Sequence, residues 1–319
     1  MDYKIYSPQD FPAYLPKLNL LYDELFSGGK GFRSHLIGLV SEPLGLEARE
    51  QNLLGQTIEF IHNASLLHDD LVDRSHLRRG KKAAWLKFTP EYAVLAGDYL
   101  LARVMVNLSN HGNIKLVQYT SEVISDLLEG EWLQDSLVGD FFVTIEQLDR
   151  VHFLKTASLF KWCLRAPFIA QEKYEVELHQ ILSELGSILG QLFQRSDDLL
   201  DFDIRNSEGK AILGDLKAGY LNSFGAYLTK GLSRAQIDSF IKSKNLDEMK
   251  TLFAKDQAQA EAVFQKKVNE FDSINGKLIE LYQHHLTTLE RLIAPTEKEL
   301  IKNLAPLTEI LYWRRKPKA

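Results

Sequence analysis

Six aspartates stand in two matching groups. Asp69, Asp70 and Asp73 lie in the stretch 59–80, EFIHNASLLHDDLVDRSHLRRG, and Asp197, Asp198 and Asp201 lie in FQRSDDLLDF. Both groups spell DDxxD, and on a helix the first and last acid of each, at i and i+4, share one face. Like charges so placed repel, and a half-buried carboxylate pair is costly until something neutralises it. Two readings of the first group are open. It is a solvated acidic helix end paired to Arg78 and Arg79, or it is a magnesium site, because Mg²⁺ takes oxygens from one or two carboxylates and completes its octahedron with water and phosphate. The second group favours the metal. Two such clusters far apart in sequence, each closing an apolar helix, are hard to reconcile with two solvated faces; in a helical bundle they can converge on metal ions carrying a diphosphate.

The elements that must carry these acids are helical. Ile58, Ile61, Ala64, Leu67 and Leu71 recur at helical spacing through the first group, and Leu189, Leu192 and Phe193 precede the second. The same periodicity predicts helices over 14–26, 32–41, 48–71, 90–109, 113–134, 145–160, 173–203, 218–230, 233–243, 246–254, 256–291 and 296–313. Alternating strand patterns are absent, turn signals such as Gly28-Gly29, Gly80, Gly112 and Gly139-Asp140 fall between the helices, and no stretch has linker composition. The expectation is one all-α domain over 1–319, a large helical bundle.

Composition bounds the function. With 319 residues, 45% hydrophobic and 25% charged, the chain is an ordinary globular protein with ample material for a core. A net charge of −5 without a basic stripe predicts no nucleic-acid partner, so a phosphate-bearing ligand must be held by local cations. The single Cys163 excludes an internal disulfide, fits a reducing compartment and reads as a small buried hydrophobe. The N-terminus shows no signal pattern and no apolar run reaches the ~18 residues of a membrane span. A cytoplasmic protein is expected, with transient membrane association through an oily product.

From Gly28 to Tyr220 the chain resembles the trans-isoprenyl diphosphate synthases of the polyprenyl synthetase family, and within it the long-chain polyprenyl diphosphate synthases. The resemblance implies an all-α bundle around a deep central cavity and a homodimer. It also implies a Mg²⁺-dependent prenyltransferase that joins isopentenyl diphosphate head-to-tail to an allylic diphosphate, giving an all-trans polyprenyl diphosphate. Asp69, Asp70, Asp73, Asp197, Asp198 and Asp201 are then the metal set, for three ions with diphosphate bound. The segment Gly28-Gly29-Lys30-Gly31-Phe32-Arg33 matches the family's GGKxxR, so Lys30 and Arg33, with His62 and Arg79, are implied to bind isopentenyl diphosphate. Arg78, Lys155, Gln194 and Lys210 are implied to face the allylic diphosphate. Glycines let the backbone approach an anion, and Lys30 and Arg33 supply charge.

Two features tune that expectation. The family closes its cavity early with aromatic residues four or five positions before the first motif, and here those positions hold Ala64 and Ser65. A long product is expected, unless Phe60 or a neighbouring helix closes the cavity deeper. Tyr220 stands where a second diphosphate-binding lysine is expected; tyrosine donates a hydrogen bond but carries no positive charge, and Lys217 is a candidate to compensate. Alternatives therefore stand beside the long-chain synthase: a geranylgeranyl or farnesyl-geranyl synthase, a prenyltransferase with another acceptor, a terpene cyclase, or a non-catalytic partner subunit. The tail YWRRKPKA, with Arg314, Arg315, Lys316 and Lys318, is expected to be a frayed, solvated end or a cover for the isopentenyl diphosphate site.

Overall fold

The computed structural model describes residues 10–20, 31–78, 80–203, 212–254 and 256–315. Their ordered elements are α1 (Phe32–Ser41), α2 (Ala48–Val72), α3 (Ala84–Lys87), α4 (Pro90–His111), α5 (Ile114–Ser136), α6 (Ile145–His152), α7 (Ser158–Ala170), α8 (Val176–Leu200), α9 (Gly214–Lys217), α10 (Ser223–Thr229), α11 (Arg234–Ile241), α12 (Leu246–Thr251), α13 (Gln257–Leu292), α14 (Glu299–Leu304) and α15 (Leu307–Tyr312). A π-helical turn, Phe153–Ala157, joins α6 to α7, and short 3₁₀ turns occupy Pro295–Glu297 and Trp313–Arg315. The all-α expectation holds. The one departure among the described residues is a two-residue antiparallel pair, β1 (Leu77–Arg78) and β2 (Lys81–Lys82), with Leu77 opposite Lys82 and Arg78 opposite Lys81. A pair this short has no alternation to read in sequence.

Local chemistry sets the helix ends. Thr89 caps α4 by accepting from Tyr92 N at 3.2 Å, Pro90 opens the helix, and Gly112 closes it at φ 88°. Thr144 and Gln147 form a reciprocal capping box at the start of α6. The expected helix over 145–160 continues instead to Ala170, because the π turn absorbs the change in phase between α6 and α7.

The chain divides into two compact units. The first comprises Met1–Leu127, Ser158–Gly186 and Leu289–Leu304; the second comprises Leu128–Ala157, Ser187–Thr288 and Ala305–Ala319. In the first unit α2 packs along α4, burying Leu54, Ile58, Ile61, Ala64 and Leu67 on one side and Ala93, Ala96, Gly97, Leu100 and Val104 on the other. Each large aliphatic side chain so buried contributes roughly 1.5–3 kcal/mol. Small residues set the spacing: a Cβ on Gly97 would stand 2.2 Å from His68 Nε2, and one on Gly186 would stand 2.6 Å from Lys161 Cα. In the second unit Phe202, Phe224, Phe264 and Phe271 form an aromatic core, with Phe224 meeting the other three at 5.1 to 5.9 Å between ring centroids. No described helix is long and apolar enough to cross a membrane.

Candidate active site: two acidic helix ends

The first acidic group closes α2. Peptide dipoles make the C-terminal end of a helix negative, yet the last turn of α2 holds no basic residue and two aspartates, with a third at the cap. Asp73 is the C-cap and is exposed; its N–H donates to the Asp69 carbonyl at 2.8 Å. Asp69, one turn back, is half-buried, and Asp70, rotated inward, is 4% exposed. The chain then turns at Arg74, whose φ of 52° lies in the left-handed region, and again at Gly80 with φ 75°. That hairpin returns Arg78 to Asp70, with Nε donating to the two carboxylate oxygens at 2.9 and 3.1 Å and the terminal nitrogen making a further short contact. Burial opposes the charge on Arg78, but Asp70, with Asp69 and Asp73 behind it, outweighs burial and raises its pKa further.

Around this end the first unit supplies an ordered frame. Gly31 at φ 55° opens α1, a conformation that favours glycine, and Ser34 N donates to the buried carboxylate of Glu59 at 3.2 Å. Arg33 lies over the Phe160 ring at 5.7 Å, and its carbonyl accepts a weak bond from Cys163 Sγ at 3.7 Å. Burial raises the pKa of the Cys163 thiol well above its ordinary value, consistent with an inert hydrophobe. His62 is half-buried, and its carbonyl accepts from Ser65 Oγ at 2.9 Å. Ala64 is fully buried; Phe60, also fully buried, packs edge-on against Phe11 at 6.1 Å. Lys30, Arg79 and Lys210 lie outside the described residues.

The second group closes α8 in the second unit. Asp198 is 1% exposed and is saturated by neutral donors: Ser223 N at 2.9 Å, Ser223 Oγ at 2.5 Å and Gln194 Nε2 at 3.0 Å. Asn222, the cap of α10, links the Asp198 carbonyl (3.2 Å) to the Asp215 carboxylate (2.9 Å). Asp201, fully buried, accepts from Gly214 N at 2.7 Å, which anchors the short α9 and the left-handed Leu213 before it. Asp197 is the outward member, and Arg314 donates to it at 2.9 Å. The tail arginines are therefore held rather than frayed, since Arg315 pairs with Asp272 as well. His152, buried 4.0 Å from Asp198, has its pKa lowered by burial against the pull of Asp198 and Asp149.

Lys155 sits in the π turn, and its ammonium contacts Glu131 directly and Gln134 at 3.4 Å, both from α5. Thr156, beside it, donates to Gln194 at 3.2 Å, so the turn is tied to the Asp198 network. Two glycines make room for this widened backbone. A Cβ on Gly130 would stand 3.0 Å from Lys155 N, and one on Gly190 would stand 2.4 Å from Ala157 Cα. Glu131, Gln134 and both glycines belong to no motif in the sequence; isolated glycines inside helical patterns are the one signal it carries for them. Tyr220 is half-buried with its N–H on the Asp215 carbonyl at 2.9 Å, and Lys217 spends its ammonium on the Ile212 carbonyl at 2.9 Å.

Among the described residues no three His, Cys, Asp or Glu side chains already form a metal cage. The donor chemistry nevertheless suits magnesium. Asp69, Asp73 and Asp197 are hard anionic oxygens that reach solvent at negative helix ends, and Mg²⁺ needs only one or two carboxylates when phosphate and water complete its shell. Asp70, Asp198 and Asp201 are engaged by Arg78, by Ser223 with Gln194, and by the Gly214 N–H.

Comparison with known proteins places this architecture. The chain is 36% identical over 193 residues to the octaprenyl diphosphate synthase of Escherichia coli, covering 60% of this chain and 59% of that protein. It is 33% identical over 257 residues to the decaprenyl-diphosphate synthase of Dictyostelium discoideum, covering 78% and 55%. The chain thus spans little more than half the length of these relatives. Its fold matches the crystal structure of a decaprenyl diphosphate synthase from Rhodobacter capsulatus with a TM-score of 0.83 at 24% identity, over 97% of this chain and 94% of that one. Residues 16–260 match the polyprenyl synthetase family, and with both acidic helix ends inside that span the chain belongs to this family.

Proposed function

We propose that the chain is a Mg²⁺-dependent trans-polyprenyl diphosphate synthase that condenses isopentenyl diphosphate onto an allylic diphosphate and makes a long-chain product, working as one catalytic domain. One observation carries the reading: each negative helix end locks some of its acids inward, Asp70 at the first and Asp198 with Asp201 at the second, while Asp69, Asp73 and Asp197 reach solvent. The names of the octaprenyl and decaprenyl relatives support the product class.

In this reading Asp69 and Asp73 hold magnesium at the first helix end and Asp197 at the second, with three ions expected once diphosphate is bound. The metal supplies Lewis-acid stabilisation of the departing pyrophosphate. Arg78, Lys155, Gln194 and Lys210 bind the allylic diphosphate, and Tyr220 contributes a hydrogen-bond donor where a further lysine would add charge. Arg78 is held in position by Asp70 and Lys155 by Glu131, so these cations are oriented before the leaving group develops its charge. Lys30, Arg33, His62 and Arg79 hold the diphosphate of isopentenyl diphosphate, whose double bond attacks the allylic cation. The departing pyrophosphate accepts the proton lost from the condensed product.

In this reading the growing tail runs along α2 past Ala64 and Ser65, which carry no aromatic side chain to stop it, each helical turn giving ~5.4 Å. Replacing Ala64 by Phe is expected to shorten the product. We further propose a cytoplasmic homodimer, its contact formed by the outward Val94, Leu95 and Val106 of α4, with transient membrane contact through the product. The test is incubation of the full chain with Mg²⁺, isopentenyl diphosphate and an allylic primer, followed by mass spectrometry of the dephosphorylated products. A ladder of longer prenyl alcohols is expected. Consumption of the allylic substrate without isopentenyl diphosphate would make the protein a cyclase, and no turnover would make it a partner subunit.

A further inference from the structure

Arg314 reaches the second acidic helix end from a segment 117 residues away in sequence. Its guanidinium donates to Asp197 at 2.9 Å, lies 4.1 Å over the Phe193 ring and is 19% exposed. The segment that carries it is anchored on all sides. The Tyr312 carbonyl accepts from Ser196 Oγ at 2.9 Å, the Tyr312 hydroxyl donates to Asp272 at 2.7 Å and accepts from Asn275 at 2.9 Å, and Arg315 pairs with Asp272. A side chain held by its neighbours and by an aromatic face cannot withdraw far when something else claims its carboxylate. Its Nε is buried and meets no acceptor among the described residues, so it has donor capacity to spare.

We propose that Arg314 couples metal binding to diphosphate binding at the second acidic helix end. A divalent cation arriving alone at Asp197 must displace the guanidinium and then face it, like charge against like. A cation arriving with a diphosphate brings acceptor oxygens that the displaced guanidinium, still anchored beside the site, can bind. Arg314 thereby penalises the bare ion and rewards the metal–diphosphate pair, and it adds a positive charge near the helix end that Tyr220 lacks. The proposal rests on the synthase reading given above.

The test is the Arg314→Gln variant of the full chain, titrated calorimetrically with Mg²⁺ alone and, separately, with preformed magnesium pyrophosphate. The informative quantity is the ratio of the two affinities, a coupling constant that a general loss of structure would not move in one direction. In the variant, Mg²⁺ alone is expected to bind more tightly and magnesium pyrophosphate more weakly, lowering the ratio about tenfold, the size of one charge-assisted contact. Arg314→Lys is expected to recover part of it. An unchanged ratio, or equal strengthening of both ligands, overturns the coupling. Failure of the unaltered protein to bind magnesium pyrophosphate at all would instead refute the synthase reading, independently of Arg314.

Discussion

The two acidic helix ends carry the same letters and are built differently. At α2 the inner acid, Asp70, is held by a formal charge, Arg78, delivered by a hairpin only a few residues downstream. At α8 Asp201 is buried as well, and the middle acid, Asp198, is held by neutral donors, a serine hydroxyl and N–H from Ser223 and the amide of Gln194. The arginine that bonds the outer acid Asp197, Arg314, lies 117 residues away in sequence. The first end is thus a local electrostatic device that remains half in water. The second is a buried hydrogen-bond network that several helices of its unit must assemble. Identical spacing says where the carboxylates lie and nothing about how each is neutralised.

Substitutions can break or sharpen that contrast. The largest effect is expected at the outer acids. Asp73→Ala should lower turnover by about 10²–10³-fold, the scale of losing one electrostatic stabiliser of a developing anion, while thermal unfolding stays near that of the parent because the side chain is exposed. Retained turnover would remove Asp73 from the metal set. At the inner acid of the second end, Asp198→Ala leaves Ser223 and Gln194 without their acceptor in a dry setting. A stability loss of about 2–4 kcal/mol in chemical denaturation is expected, with activity falling alongside it.

Gly190→Ala inserts a methyl group against Ala157 in the π turn, and about 1–3 kcal/mol of overpacking strain is the expected cost. Because the strained segment carries Lys155, the KM for the allylic substrate should rise more than that for isopentenyl diphosphate; equal changes would sever the turn from the allylic site. The smallest effect belongs to Asp70→Asn. The Arg78 side chain is 40% exposed, so solvent screens the pair, and roughly 1 kcal/mol or less is expected. Should Asp70→Asn prove as destabilising as Asp198→Ala, the contrast between a wet and a dry helix end would fail.

Much of this was legible from sequence. The periodicity that marked α1, α2, α4, α5 and α8 as helices is the direct signature of one buried face per helix. The six aspartates were visible because charge at the end of an apolar run is conspicuous. The hairpin at Leu77–Lys82 was not, since two residues per strand leave no alternation, nor was the π turn, whose i→i+5 bonding has no side-chain period of its own. Glu131 and Gln134 sat in an ordinary amphipathic stretch of α5, and only their approach to Lys155 gives them a role.

By itself the sequence determined the family, the helical class and the presence of two carboxylate pairs at i and i+4, because those depend on residue type and short spacing. Tertiary structure alone decided which acids of each group turn inward, Asp201 of the second pair among them, and what meets them. Adjacent residues on a helix differ by about 100° in direction, so the packing of α2 and α8 sends Asp70 and Asp198 inside while Asp69 and Asp197 stay nearer water. Ser223 and Arg314, the partners at the second end, lie 25 and 117 residues from the acids they bind, distances that no local pattern spans.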